Sequence, residues 1–282
     1  MPYNVDFREV AMAAIDTAYP VIQKGAESPG AFTVPATAQK LTAIRIGFGA
    51  IATDVIMGAT SAIKLSGSGL KVPELYLVGS MIAAAGAAAT DGGTSMAQPM
   101  IYKTNIPVSP GNNIDVTAFM HGEVIGIGHI VVTIEYDGVP GKIKGGDYRE
   151  ETTGAAANTF VTMARRGDVA AEGDIKPQGT IIEVVFGAIP DPVGHASDGL
   201  LIAPSLRLTG NGLTINDDYA FTGAIGQAHP DTDVVGTGAI SVNPTRYECG
   251  AGIPVRTSGL IRPAAQNIES IQSIHAIVGL LY

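Results

Sequence analysis

The chain contains no tryptophan, and its one cysteine is Cys249. A lone thiol excludes an internal disulfide framework and a cysteine-rich zinc site, and leaves Cys249 a small core or turn residue. Charge is scarce too. Asp, Glu, Lys and Arg make up 15% of the residues, against roughly 25% in an average soluble protein, while 46% are hydrophobic. A surface so poor in charge points to burial by neighbouring subunits. The charge present is negative, −9 overall, and Arg165-Arg166 is the only basic doublet. Direct nucleic-acid binding, which needs clustered Lys and Arg, is therefore not expected. No apolar run reaches the ~18 residues of a membrane span, and no basic region precedes an apolar stretch near the N-terminus. Asn243-Pro244-Thr245 carries the proline that bars glycosylation. The chain is expected to be made and used without entering a secretory route.

Catalytic patterns are missing as well. His121, His129, His195, His229 and His275 are scattered without metalloprotease spacing. Asp231-x-Asp233 and Asn216-Asp217-Asp218 resemble fragments of calcium loops but do not continue with further ligands. Ile46-Gly47-Phe48-Gly49-Ala50-Ile51-Ala52 contains Gly-x-Gly-x-x-Ala after a strand, yet no amphipathic helix follows to receive a pyrophosphate. No catalytic residue, cofactor or metal site is expected.

What the sequence does contain is itself, twice. Lys64-Leu65-Ser66-Gly67-Ser68-Gly69-Leu70 matches Arg207-Leu208-Thr209-Gly210-Asn211-Gly212-Leu213. Upstream, Ile44 and Phe48 line up with Ile182 and Phe186; downstream, Tyr76 matches Tyr219, Pro99-x-x-Tyr102 matches Pro244-x-x-Tyr247, and Ile106-Pro107-Val108 matches Ile253-Pro254-Val255. Both copies close on a β-branched run ending in Tyr136 and Tyr282. The series is colinear, so the chain reads as a head-to-tail duplication.

The copies are all-β in pattern. Runs at 41–48, 75–78, 114–119, 130–136, 180–186, 200–208 and 274–281 read as strands between Gly, Pro, Asn and Asp turns, which implies two tandem β-sandwiches. Residues 30–136 form the first and 160–282 the second, with 137–159 as linker. Residues 1–29 are expected as a helical arm, since Phe7, Val10, Ala11, Ala14 and Ile15 share a helical face over 6–19, with Asp6 and Glu9 at its start and Pro20 at its end. Phe7, Val10 and Ala14 are the candidate subunit-contact residues of that arm; packing of the helix on its own domain is the other reading left open. Met81–Ala89 is a second, shorter helix candidate.

A duplicated small sandwich, acidic and rich in small residues, with no catalytic set, resembles the double jelly-roll major capsid proteins of tailless bacterial and archaeal viruses. That resemblance implies two jelly rolls side by side and a self-assembling virion protein, synthesised in the host cytoplasm. It also implies partnership with copies of itself and with other virion proteins, and a trimeric capsomer of pseudo-sixfold outline. A surface lattice, tube or filament protein, a tail-tube component, and a carbohydrate-binding or enzymatic β-sandwich are the other readings the residues leave open.

Overall fold

The computed structural model describes residues 4–51, 57–84, 95–96, 98–124, 127–153, 158–190, 200–201, 204–214, 219–222, 227–228, 240–267 and 273–282. Sixteen strands carry the fold. The first eight are β1 (Asn4–Met12), β2 (Tyr19–Pro20), β3 (Lys40–Ile51), β4 (Met57–Ser66), β5 (Leu75–Ala84), β6 (Met100–Pro107), β7 (Asn113–Val124) and β8 (Ile127–Tyr136). The second eight are β9 (Gly146–Thr152), β10 (Val161–Thr162), β11 (Ile181–Pro190), β12 (Pro204–Thr209), β13 (Tyr219–Thr222), β14 (Thr245–Ile253), β15 (Arg262–Asn267) and β16 (Ile274–Leu281).

Strand order makes each set a jelly roll. In the first, β1-β8-β3-β6 form one sheet and β2-β7-β4-β5 the other, all antiparallel. The second repeats this as β9-β16-β11-β14 and β10-β15-β12-β13. Sequential strands thus alternate between sheets, apart from the one hairpin in each roll, β4-β5 and β12-β13, in the double Greek-key manner. Inward residues at alternate positions fill the cores: Ile44, Ile46, Ile130, Val132 and Ile134 in the first roll, Val184, Phe186, Leu206, Leu208, Val278 and Leu280 in the second. Tyr102 donates its hydroxyl across the first core to the Val78 carbonyl at 2.5 Å.

The N-terminal helix does not exist. Residues 4–12 are strand, paired with β8 from Asn4↔Tyr136 to Met12↔Gly128. Asp6 and Glu9, read as helix-starting acids, instead bind Lys24 and the Gly25 amide. The i, i+3, i+4 spacing of Phe7, Val10 and Ala11 suits a helix, but long-range pairing with β8 overrides it and sends Phe7 and Val10 to opposite faces of the strand. Residues 1–29 are therefore no arm: truncating through Met12 is expected to strip an edge strand from β8 and unfold the first roll, visible as a lost near-ultraviolet signal.

The linker is shorter than expected for the same reason. Gly146–Thr152 is β9, the counterpart of β1, paired with β16 from Gly146↔Leu281 to Thr152↔His275. Its charged residues Asp147, Arg149 and Glu150 are buried. Of the second helix candidate, Met81–Ala84 belong to strand β5 and the remainder lies outside the described residues. Among the described residues, no helix is long and apolar enough to cross a membrane.

Register also corrects three sequence pairings. Ile46 faces Val132 where Phe186 faces Val278, so Phe186 occupies the place of Ile46, not Phe48, and Val184 that of Ile44. A two-residue slip keeps every side chain on its face and leaves no trace in the pattern. Leu208 faces Tyr219 where Leu65 faces Leu75, so Tyr219 replaces Leu75 rather than Tyr76. The Tyr102 and Tyr247 match holds: each lies opposite the residue, Ile44 or Val184, that the register equates.

The two rolls share a seam. The outer side of the β9-β16-β11 layer packs on the outer side of β4 and β5, so that Tyr148, Val185, Ile189, Ile277 and Leu281 join the first roll's core cluster with Tyr76, Val78 and Met81. Burial on both faces explains why β16 reads as a continuous apolar run while β8 alternates. At about 1.5–3 kcal/mol per buried aliphatic side chain, this seam fixes the rolls together. Residues 240–242 of the second roll also pair with β5.

Candidate functional site

The first residues of each roll form the same device. Arg8 donates from Nε to the Gly30 carbonyl at 3.0 Å and from Nη1 to Asp6 at 2.7 Å and to the Phe7 carbonyl at 2.7 Å. Arg149 donates from Nε to Gly173 O at 2.6 Å, and from Nη1 to Asp147 at 3.0 Å and Tyr148 O at 2.6 Å; its Nη2 adds Asp174 O at 3.2 Å. Glu9 accepts the Gly25 N–H at 2.7 Å, and Glu150 accepts the Gly167 N–H at 3.0 Å. Asp6-Phe7-Arg8-Glu9 and Asp147-Tyr148-Arg149-Glu150 are thus one motif, each stapling its strand to the turn that follows. Sequence comparison could have found it, and it moves the start of the repeat to the first described residues.

This equivalence separates a bare face from a covered one. On the outer side of β1, β8, β3 and β6 stand Val5, Phe7, Ile101, Ile127 and Val131, between 37% and 47% exposed, beside Arg45 and Thr133. The register-equivalent residues of the second roll include Tyr148, Val185, Ile277 and Gly279, and these are inside the seam. Of the expected contact residues, Phe7 lies on the bare face, Val10 turns inward against the core, and Ala14 is exposed in the following loop. The three do not form one surface. Val5, Ile101, Ile127 and Val131 were missed because they sit on three separated strands.

At one end of the seam the polar residues converge. His121, on β7, has Nδ1 at 2.7 Å from Asp16 Oδ1 and Nε2 at 3.3 Å from Thr152 Oγ1, and Thr152 lies 2.8 Å from His275 Nδ1. The His121 and His275 rings meet edge to face at 5.7 Å. Arg165 binds the other Asp16 oxygen at 2.7 Å. Glu150 lies buried beside them. Burial is the largest influence on each group. It drives Glu150 up to about 7, aided by Asp16 and opposed by the His121 charge, the Gly167 bond and Arg165. For His121 burial works downward, but the Asp16 bond and the charges of Glu150 and Asp16 outweigh it and raise the imidazole. Asp16 ends low despite burial, because His121 and Arg165 hold its charge.

Asp16, His121 and Glu150 place donor atoms within 4.8 Å of one another, a set able to hold a divalent cation. Those groups are already engaged, however: a cation would have to displace the Asp16 bonds to His121 and Arg165. The cluster reads more simply as a network that shares protons. A cleft of about 400 Å³ between the rolls is lined by Lys103, Lys142, Glu183, Arg246 and Glu248. Arg246 fills part of it, gripping both Glu183 oxygens and the Ile101 carbonyl. His195, His229, Asp231, Asp233 and Asn216–Asp218 lie outside the described residues.

No protein-family model and no curated protein sequence matches this chain. Viral major capsid proteins are among its structural neighbours. The STIV MCP is 7% identical, with 98% of this chain and 96% of that one covered at a TM-score of 0.38. The major capsid protein P2 of bacteriophage PM2 is 6% identical, with 99% and 98% covered at 0.33. A peptide-N(4)-(N-acetyl-β-D-glucosaminyl) asparagine amidase is 9% identical, with 99% and 96% covered at 0.37. At these identities and TM-scores the likenesses carry no weight for activity, and the jelly-roll assignment rests on strand order.

Proposed function

We propose that this chain is a self-assembling shell protein, a viral major capsid protein that builds capsomers. The observation that supports it most is the contrast between the two outer faces. One sheet face is buried by the partner roll in the second copy; its counterpart in the first copy is bare and carries Val5, Phe7, Ile101, Ile127 and Val131. A contact already made once within the chain can be repeated between chains. The first roll of one subunit would then dock on the outer β10-β15-β12-β13 face of the next, where Ser205, Arg207, Thr209, Arg262 and Gln266 lie. Such a contact is heterologous, and rings result when its rotation closes. Three chains supply six rolls, the stoichiometry of a pseudo-sixfold capsomer. In this reading the protein works in the virion, its main partner is itself, and the Asp-x-Arg-Glu staples are structural.

Light scattering coupled to size exclusion tests it. The wild-type protein is expected at a multiple of its 28.9 kDa chain mass, three-fold for the capsomer, with closed particles in negative stain. The double variant Phe7→Asp/Val131→Asp is expected at monomer mass with unchanged circular dichroism. A wild-type monomer persisting at high micromolar concentration across salt and pH would overturn the proposal, and sheets or tubes in place of closed particles would replace the capsid with a lattice.

A further inference from the structure

The cleft beside Arg246 is flanked by the same edge strand twice. Ile101 lies opposite Arg45 as Arg246 lies opposite Val185, and Lys103 lies opposite Ala43 as Glu248 lies opposite Glu183. Its walls on β6 and β14 are therefore register equivalents, and the copies differ at each of these positions. Where the first roll has Ala43 and Ile101, the second has Glu183 and Arg246, which pair with each other. The pairing holds the guanidinium over the Tyr102 ring, 5.1 Å from its centre, and against the Ile101 carbonyl.

That contact decides what the backbone of the β6 wall can still offer. In an antiparallel pair the N–H and C=O of one residue point to the same side of its strand. The Ile101 and Lys103 carbonyls point away from β3, because Arg246 reaches the first and the Ile143 N–H the second. Their N–H groups point the same way. Both carbonyls are thus taken, while among the described residues nothing accepts from either N–H. The wall is left with donors only.

The side chains carry the same sign. Lys103 is 54% exposed, and its nearest acid, Glu135 at 3.9 Å, is already bound by Arg45. Lys142 is exposed, and among the described residues no acid pairs with it. Arg246 neutralises Glu183, so of the lining acids Glu248 alone stands against the two lysines. Ile101, Ile143 and Ile182 complete the lining with apolar surface. A chain of net charge −9 has thus gathered three cations and two amide donors around a partly apolar cavity.

We propose that this cleft binds a small organic anion, with its carboxylate or phosphate head on Lys103, Lys142 and the Ile101 and Lys103 N–H groups, and its apolar body against Ile101, Ile143 and Ile182. The volume, about 400 Å³, lies in the ordinary range of small-molecule pockets. Bonds from ammonium and amide donors to an oxyanion are roughly twice as strong as those to a neutral acceptor, so the head sets the selectivity. Glu248 works from the opposite wall, repelling a ligand that carries a second negative charge at its far end. The cleft lies within a single chain, so the inference stands whether or not the shell reading does.

Calorimetric titration of the full chain at low salt with hexanoate, hexyl phosphate and neutral hexanamide tests this. At least one of the two anions is expected to saturate a single site with a dissociation constant on the order of millimolar or tighter, and to bind more weakly as salt is added; the tighter one identifies the head group. Hexanamide should not saturate. Lys103→Met/Lys142→Met is expected to weaken the anion about tenfold or more with unchanged circular dichroism, and Glu248→Gln to strengthen it roughly threefold. Failure of both anions to saturate, hexanamide binding as tightly as they do, or an unchanged affinity in the double lysine variant would overturn the proposal. Should that variant fail to fold, Glu248→Gln decides: an affinity no greater than wild type rejects the site, and a greater one supports it.

Discussion

Arg149→Ala is expected to destabilise the second jelly roll by about 3–5 kcal/mol, the typical loss when one partner of a buried ion pair is removed. The guanidinium is 2% exposed and its Asp147 partner is buried, so truncation leaves that carboxylate with Arg166 as its one cation beside the Tyr148 N–H, and strips donors from Tyr148 O, Gly173 O and Asp174 O. Arg8→Ala should cost less, because Asp6 is 31% exposed and keeps both water and Lys24. Chemical denaturation of the two variants measures the difference. Equal losses would mean that the Asp174 bond and the deeper burial of Asp147 contribute nothing, contrary to the geometry.

A second pair of variants uses the turns that the staples close. Gly25 and Gly167 both have φ of +61°. Alanine at either carries the left-handed penalty of about 1–2 kcal/mol. At Gly25 nothing lies within 4 Å of the added carbon, whereas at Gly167 it would stand 2.6 Å from Phe119 Cδ1, on the first roll. Crowding of a packed site adds typically 1–3 kcal/mol, so Gly167→Ala is expected to lose about 2–5 kcal/mol in all. The excess reports the seam, because Phe119 reaches Gly167 only when the rolls are docked. If the two substitutions cost the same, the seam in solution is looser than this packing.

The duplication and the all-β class were legible because they reside in local matches and short periodic runs. Ile274–Leu281 was readable to the residue: a strand buried on both faces is a plain apolar run. β4, β14 and β15 were missed, since Met57–Ser66 is rich in small and hydroxyl residues and Thr245–Ile253 alternates polar groups along an exposed strand. β1 was misread because apolar groups at 7, 10 and 11 follow the helical period, and only the long-range pairing with β8, which local spacing does not reveal, makes it a strand. The site was harder still. His121, Glu150 and His275 are far apart in sequence, and no spacing rule brings a residue on β7 to one on β9. Yet the clue to Glu150 was present in the Asp-Tyr-Arg-Glu that echoes Asp-Phe-Arg-Glu, hidden by reading one copy as helix and the other as linker.

The short strand at 240–242, which pairs Ile240 with Ala83 and Val242 with Met81, has a consequence for the chain during its synthesis. Until that segment has emerged from the ribosome, β5 presents an unpaired edge, the kind that recruits strands from other molecules. At roughly 5–20 residues per second, the stretch from β5 to 242 takes on the order of ten seconds to make. Neighbouring nascent chains on one message therefore share a window in which each can offer its edge to the other. The chain closes that window itself, and its first half is finished only when its second half arrives.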